Sequence, residues 1–353
     1  MTPDAASIPT RGAASNPPNR FVPIRLERDV DWNPEEDPLP RTQFLKDHTR
    51  ALITRNDSPD VGFEASINPY RGCEHGCIYC YARPFHEYLG FSSGLDFETK
   101  IMVKEDAPGL LRAELSSPKW QPQVLAMSGV TDPYQPVERR LKITRACLEV
   151  LAEFRNPVCL ITKNQLVTRD IDILGELARH HAAAVFISLT TLDPELRKVM
   201  EPRTAPPAAR LATIKKLAQA GIPVGVLLAP VIPGLTDHEI PSLVHAAVDA
   251  GARFAGRVTL RLPHAVAPLF AQWLESHFPE KKDKVLNRLR ALRGGKLYNA
   301  QFGKRMRGEG IFAEQMDQMF DVACRKAGIA GGRSNLSTES FRRPAKSQLS
   351  LFD

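Results

Sequence analysis

The sequence predicts an α/β fold, a partial (β/α)6 barrel of the TIM type with an irregular N-terminal arm and a helical C-terminal extension. Two textures alternating along the chain predict it: short apolar runs of strand character, and longer segments with helical spacing between them. About six such strand-helix units follow one another, the signature of parallel strands joined by crossover helices. A length of 353 residues, 43% hydrophobic and 25% charged, is enough for one large core or two modest ones.

Residues 1–60 are rich in Pro, Arg and Asp with little periodicity, which predicts a mostly irregular arm that partly wraps the core. Ordered structure is expected from about Gly62. A core over residues 61–265 takes its strands from "FEASINPY", "QVLAMSG", "VCLITK", "AVFISLT", "VGVLLAP" and "RVTLRLP". Ile143, Ala146, Cys147, Val150, Leu151 and Phe154 follow the i, i+3, i+4, i+7, i+8 rule of a helix with one buried face. Ile171, Leu174, Leu177 and Ala178, then Leu211, Ile214, Leu217 and Ala218, repeat it. Residues 266–328 read as a helical, basic extension: a helix around Ala265 to His277, a basic stretch, and a last helix around Phe312 to Lys326. Residues 329–353 read as a flexible tail of small, polar and basic residues.

Net charge is +7, and much of it is local. From Lys281 to Gly310 there are ten Lys or Arg against two acids, with Tyr298 and Phe302 interleaved. That stretch reads either as a solvated helix with a loop or as a surface for nucleic acid. No apolar run reaches the roughly 18 residues of a membrane span, and the first twenty residues lack the apolar stretch of a secretory signal. The expectation is a soluble, cytoplasmic protein with no membrane partner.

The chemistry concentrates in "RGCEHGCIYCYAR". Cys73, Cys77 and Cys80 are spaced C-x3-C-x2-C, close enough to reach different irons of one cubane, and no fourth cysteine follows. Three ligands leave one iron open for a substrate or cofactor, as an open position does in a catalytic zinc site. The competing reading is a structural Cys3His zinc site completed by His75 or His86, although the paired spacings usual for zinc do not occur. Cys147, Cys159 and Cys324 each lie on an apolar helix face or inside an apolar strand and read as core. In a βα barrel the loops after the strands converge on one mouth. The cysteine loop, Ser128 to Asp132, Thr162 to Asn164 and Ser188 to Thr191 are all expected there.

"CEHGCIYC" resembles the cysteine motif of the radical SAM superfamily, with Tyr79 as its aromatic residue. The resemblance implies a 4Fe-4S cluster on Cys73, Cys77 and Cys80 whose open iron is chelated by S-adenosylmethionine. An external electron donor would reduce the cluster, and cleavage of the sulfonium bond would yield methionine and a 5'-deoxyadenosyl radical. "MSGVTDPYQPVER", "ITKN", "ISLTT" and "MEPRTAPPAARL" look like radical SAM proteins related to spore photoproduct lyase, the DNA repair photolyase group, over about Asn68 to Asp237. By that likeness Tyr79, Ser128, Lys163, Ser188 and the backbone at Ala229 contact S-adenosylmethionine, and the activity is lyase-like and directed at DNA. From the residues alone, Lys163 reads equally as a surface loop lysine, and Ser188 as satisfying a strand end. Spore photoproduct lyases return a hydrogen atom from a cysteine near the second strand's exit, whereas "VLAMSG" has none, and Tyr134 reads as a packing residue. Alternatives are a radical SAM enzyme modifying RNA, a peptide or a small molecule, and a nucleic-acid-binding protein with a structural or redox-sensing cluster.

The chain closes on "QLSLFD". Gln348, Leu349, Leu351 and Phe352 resemble the Q-L-x-L-F peptide by which bacterial polymerases and repair proteins dock on the DNA sliding clamp. Two apolar anchors and a directional amide suit an extended peptide in a pocket. The other reading is a tail folded back on its own barrel.

Overall fold

The structure, a computed structural model, describes residue 8 and residues 10–22, 41–329 and 335–344. Ten strands lie among them. They are β1 (Gln43–Lys46), β2 (Ile53–Arg55), β3 (Ala65–Ile67), β4 (Tyr70–Arg71), β5 (Lys100–Val103), β6 (Leu125–Met127), β7 (Val158–Thr162), β8 (Ala183–Ser188), β9 (Val224–Val231) and β10 (Phe254–Thr259). The helices are α1 (Leu95–Thr99), α2 (Ala107–Ser116), α3 (Glu138–Leu141), α4 (Ile143–Phe154), α5 (Ile171–Arg179), α6 (Pro194–Met200), α7 (Pro207–Gln219), α8 (Ile240–Asp249), α9 (Val266–His277), α10 (Pro279–Leu292) and α11 (Ile311–Lys326).

The main sheet runs β10-β9-β8-β7-β6-β3-β2. From β3 to β10 every neighbouring pair is parallel and the strands follow chain order, so the sheet is wound in one direction as a partial barrel. Only β2 runs antiparallel, against β3. The six predicted parallel strands are these. They are buried almost throughout, as strands covered on both faces must be. Helix α4 buries Cys147, Val150, Leu151 and Phe154, the predicted stripe.

Strand structure begins earlier than the expected Gly62. β1 pairs with β5 and β2 with β3, and their side chains are mostly exposed. Strands of three or four residues carry no readable period, so only pairing reveals them. The tail differs as well: residues 335–344 lie along the ends of α4, β6 and β8 opposite the mouth. Ser337 N donates to the His181 carbonyl (2.9 Å) and Arg342 N to the Phe154 carbonyl (2.9 Å), while the Phe341 ring lies tilted against Phe154 (centres 6.3 Å apart). A single apolar ring docks there. Gln348, Leu349, Leu351 and Phe352 lie outside the described residues.

The barrel is open between β10 and β2, its two outermost strands. A segment of the basic stretch, residues 301–308, spans that side. Thr259, ending β10, donates from N to the Met306 carbonyl (2.8 Å) and from Oγ1 to the Arg307 carbonyl (2.9 Å). At the other edge, Asp60 in the β2–β3 turn accepts from Gly303 N (2.6 Å) and pairs with Arg305.

Candidate active site

The cysteine loop leaves β3 through β4 and turns tightly: Gly76 N donates to the Cys73 carbonyl (3.3 Å) and Cys80 N to the Cys77 carbonyl (3.2 Å). Gly76 sits at φ +67°, where a side chain is strained, and a Cβ there would lie 2.6 Å from a Glu98 oxygen. Arg83, fully buried, holds the loop from behind. Its guanidinium donates to the carbonyls of Cys77 (3.0 Å), Gly76 (3.2 Å), Ser93 (3.2 Å) and Gly94 (2.9 Å) and pairs with Glu98 (2.5 Å). The same Glu98 carboxylate accepts from Gly12 N (3.0 Å) and Ala13 N (2.9 Å), so residues 10–22 of the arm are strapped over the loop. Cys73 and Cys77 are buried and Cys80 is partly so.

Facing the loop, Lys163 at the exit of β7 gathers groups from β8, β9, the end of α6 and the cysteine loop. Asn164 fixes the backbone there by capping the turn behind it, accepting from Leu166 N (3.0 Å). The Lys163 ammonium donates to Ser188 Oγ (2.6 Å), the Ala229 carbonyl (3.0 Å) and Thr190 Oγ1 (3.4 Å), lies 3.4 Å from Glu201, and stands 5.7 Å from the centre of the Tyr79 ring. Of the residues expected at the cofactor, Tyr79, Lys163, Ser188 and Ala229 thus meet. Ser128 stands apart, its Oγ donating to the Thr131 carbonyl (3.0 Å). Thr131 in turn donates to the Gly72 carbonyl (2.9 Å), which ties that loop to the cysteine loop.

Glu201 was not anticipated, nor was its partner Arg210, although both lie in "MEPRTAPPAARL". Both are buried and paired; Tyr79 OH and Thr190 Oγ1 (2.8 Å) also donate to the carboxylate. Burial works against the charge, but Arg210 and Lys163 outweigh it and hold the carboxyl far below its usual range. His75 was expected only as a zinc ligand and Asp132 only at the mouth; that the two pair was not anticipated. Their pair (3.3 Å) is buried; Asp132 and the Cys73 sulfur overcome the cost of burial and raise His75 to about 10.

His75 Nε2 meets Asn164 Nδ2 (3.1 Å), so neither ring nitrogen is free to complete a zinc site. Among the described residues no three His, Cys, Asp or Glu side chains converge on a point that one ion would occupy. Three soft sulfurs on one short loop, two buried and one partly so, are the donor set an iron-sulfur cluster takes. Beside them, a cation with carbonyl and carboxylate acceptors fits the ammonium and carboxylate of an amino acid. Cys147, Cys159 and Cys324 lie away from this site; burial pushes their thiols up, Cys159 to about 12. Tyr134 is buried and donates to Asp170 (2.9 Å), a packing role.

A singly wound partial barrel with a three-thiol loop after its first parallel strand defines a class of cluster-bearing α/β proteins. The radical SAM superfamily profile matches residues 67–247, and the chain belongs to that superfamily. An uncharacterized protein of Mycobacterium tuberculosis is 38% identical over 220 residues, 62% of this chain and 65% of that protein, so the match spans just under two thirds of the relative. An uncharacterized protein of Methanocaldococcus jannaschii is 29% identical over 184 residues, 52% of this chain and 66% of its own length. Among solved structures, spore photoproduct lyase complexed with dinucleoside spore photoproduct superposes with a TM-score of 0.56 at 16% identity, over 80% of this chain and 79% of that one. A double mutant of the lyase with bound AdoMet and the same dinucleoside gives 0.56 at 16% identity, over 80% and 78%. The fold is shared; no helix among the described residues is long and apolar enough to cross a membrane.

Proposed function

We propose that this protein is a radical SAM enzyme in which Cys73, Cys77 and Cys80 ligate a 4Fe-4S cluster and the Lys163 group holds S-adenosylmethionine, and that it acts on DNA in repair or modification. One observation carries the cofactor assignment: Tyr79, between the second and third cysteines, brings the thiol loop against Lys163, Ser188, Ala229 and Glu201 at a single buried mouth. When bound, the cofactor pair supplies one-electron cleavage chemistry and a hydrogen-abstracting radical.

The chain's own residues bind, orient and exclude water. Lys163, a mobile point charge, suits the cofactor carboxylate, while the Ala229 carbonyl and Glu201 suit its ammonium. Ser128, on the neighbouring strand exit, lines the approach. Arg83, Glu98 and the strap close the loop from behind, which keeps water from a reactive centre. DNA as substrate is supported by the basic extension and by the dinucleoside spore photoproduct with which spore photoproduct lyase is complexed. The missing cysteine in "VLAMSG" separates the reaction from that lyase's hydrogen return. The terminal Gln348, Leu349, Leu351 and Phe352 would recruit the enzyme to the sliding clamp, and an external donor would supply the electron.

The test is anaerobic. Reconstituted protein, reduced with dithionite and given S-adenosylmethionine, is expected to release 5'-deoxyadenosine, and Cys77→Ala none. An intact, reduced cluster that yields no product would replace this reading with a structural or sensing cluster.

A further inference from the structure

Two exposed aromatic rings on the open side of the barrel are each backed by a guanidinium. Tyr81, directly after the last cysteine, is 41% exposed; its hydroxyl donates to the Gly129 carbonyl, and the Arg261 guanidinium lies 4.2 Å from its ring centre. Phe302, on the segment spanning the barrel's gap, is 51% exposed, with the Arg305 guanidinium 4.5 Å from its ring centre. The two pairs are joined through Arg293, which bonds both the Leu260 carbonyl, next to Arg261, and the Arg305 carbonyl.

That surface is built rather than incidental. Arg293, buried, donates to the Lys304 carbonyl (2.9 Å), the Arg305 carbonyl (2.8 Å) and the Leu260 carbonyl (2.9 Å), fixing the Phe302 segment to the end of β10 beside Arg261. Arg305 is neutralised by Asp60, whereas Arg261 makes no ion pair among the described residues. A cation stacked on an exposed ring leaves one ring face and several N–H donors directed to solvent.

Exposure alone does not set these rings apart; the guanidinium fixed against each does, since it leaves an ordered ring and N–H donors on one held surface. The surrounding charge excludes a cationic or purely apolar partner, since the stretch from Lys281 to Gly310 carries ten Lys or Arg against two acids. Stacking on an open ring face requires a flat partner not already stacked, and the base pairs inside a duplex do not qualify. We infer that Tyr81 and Phe302, backed by Arg261 and Arg305, form a platform on which unpaired nucleobases of a single-stranded DNA segment stack, with Arg261 meeting a phosphate. The platform rests on the DNA reading above and deepens it: the strand enters through the open side of the barrel, unpaired, and passes the cysteine loop.

The test measures binding of fluorescein-labelled oligothymidine, and of a duplex of the same length, to the reconstituted protein under anaerobic conditions. Phe302→Ala carries it, because the ring is exposed and lies outside the cysteine loop. The expected result is single-strand affinity above duplex affinity, lowered roughly 5- to 150-fold by Phe302→Ala. Arg261→Gln should reduce the slope of log affinity against log salt by about one. Phe85→Ala, a 50% exposed ring with no guanidinium of the described residues against it, should leave affinity unchanged. Tyr81→Leu should match Phe302→Ala, with the cluster absorbance checked in parallel. A parent that binds duplex as tightly as single strand, or Phe302→Ala that binds like the parent, overturns the platform and leaves the DNA reading intact. A parent that binds no DNA of any form overturns both.

Discussion

Glu201 is fully buried, and its carboxylate meets Lys163, Arg210, Tyr79 and Thr190 at once. Neutralising it leaves two cations facing each other in a dry site, so Glu201→Gln should cost about 3–5 kcal/mol in urea unfolding of the apo-protein. A loss below about 1 kcal/mol would mean the network is dispensable. His86 gives the pH dependence. It is buried between Phe91 (5.2 Å) and Phe97 (5.7 Å), its Nε2 has no hydrogen-bond partner among the described residues, and burial lowers its pKa to about 4. The unfolded chain takes up this proton below about 6.5, where the folded chain still refuses it. Stability is therefore lost as the pH falls from about 6.5 to about 4, by roughly 3 kcal/mol from this residue. His86→Leu should flatten the curve in that window, and an unchanged slope would remove His86 as its cause. Glu201 was not singled out beforehand and His86 only as a candidate zinc ligand, because an isolated Glu or His in sequence does not reveal which cation or ring burial will bring to it.

At the level of elements, the strap depends on one close approach. A Cβ on Gly12 would lie 1.8 Å from the Gly76 carbonyl oxygen, backbone against backbone, so nothing flexible can yield. Gly12→Val should lift residues 10–22 from Glu98, costing about 1–3 kcal/mol and speeding proteolysis of the arm. Parent-like stability and cleavage would show that the strap contributes nothing. Composition alone presented the arm as irregular, and its segments do lack regular structure around residues 10–22. What composition could not show is that Gly12 and Ala13 would supply N–H groups to a carboxylate more than eighty positions away. Helices α4, α9 and α11, by contrast, were legible to within a residue of their bounds, since each buries a periodic stripe.

In the whole molecule, the mouth and the docked tail lie at opposite ends of the barrel. Phe341 and Arg342 anchor residues 335–344 near Phe154, at the end where the strands begin. Clamp engagement through Gln348, Leu349, Leu351 and Phe352 would then leave the mouth free. Deleting Gln348 to Asp353 should abolish clamp affinity in a pull-down and leave 5'-deoxyadenosine formation unchanged; retained affinity would place recruitment elsewhere. By itself the sequence determined the six parallel strands, their order, and the three-thiol loop after the first of them. Those follow from local periodicity and from spacing within a dozen residues, where chain connectivity does the positioning. Only the tertiary structure decided that Glu201 and Arg210 close the Lys163 group, that Ser128 stands apart from it, and that the basic stretch spans the open side. Each of those depends on which distant residues share a buried or a solvated space, and no local pattern carries that information.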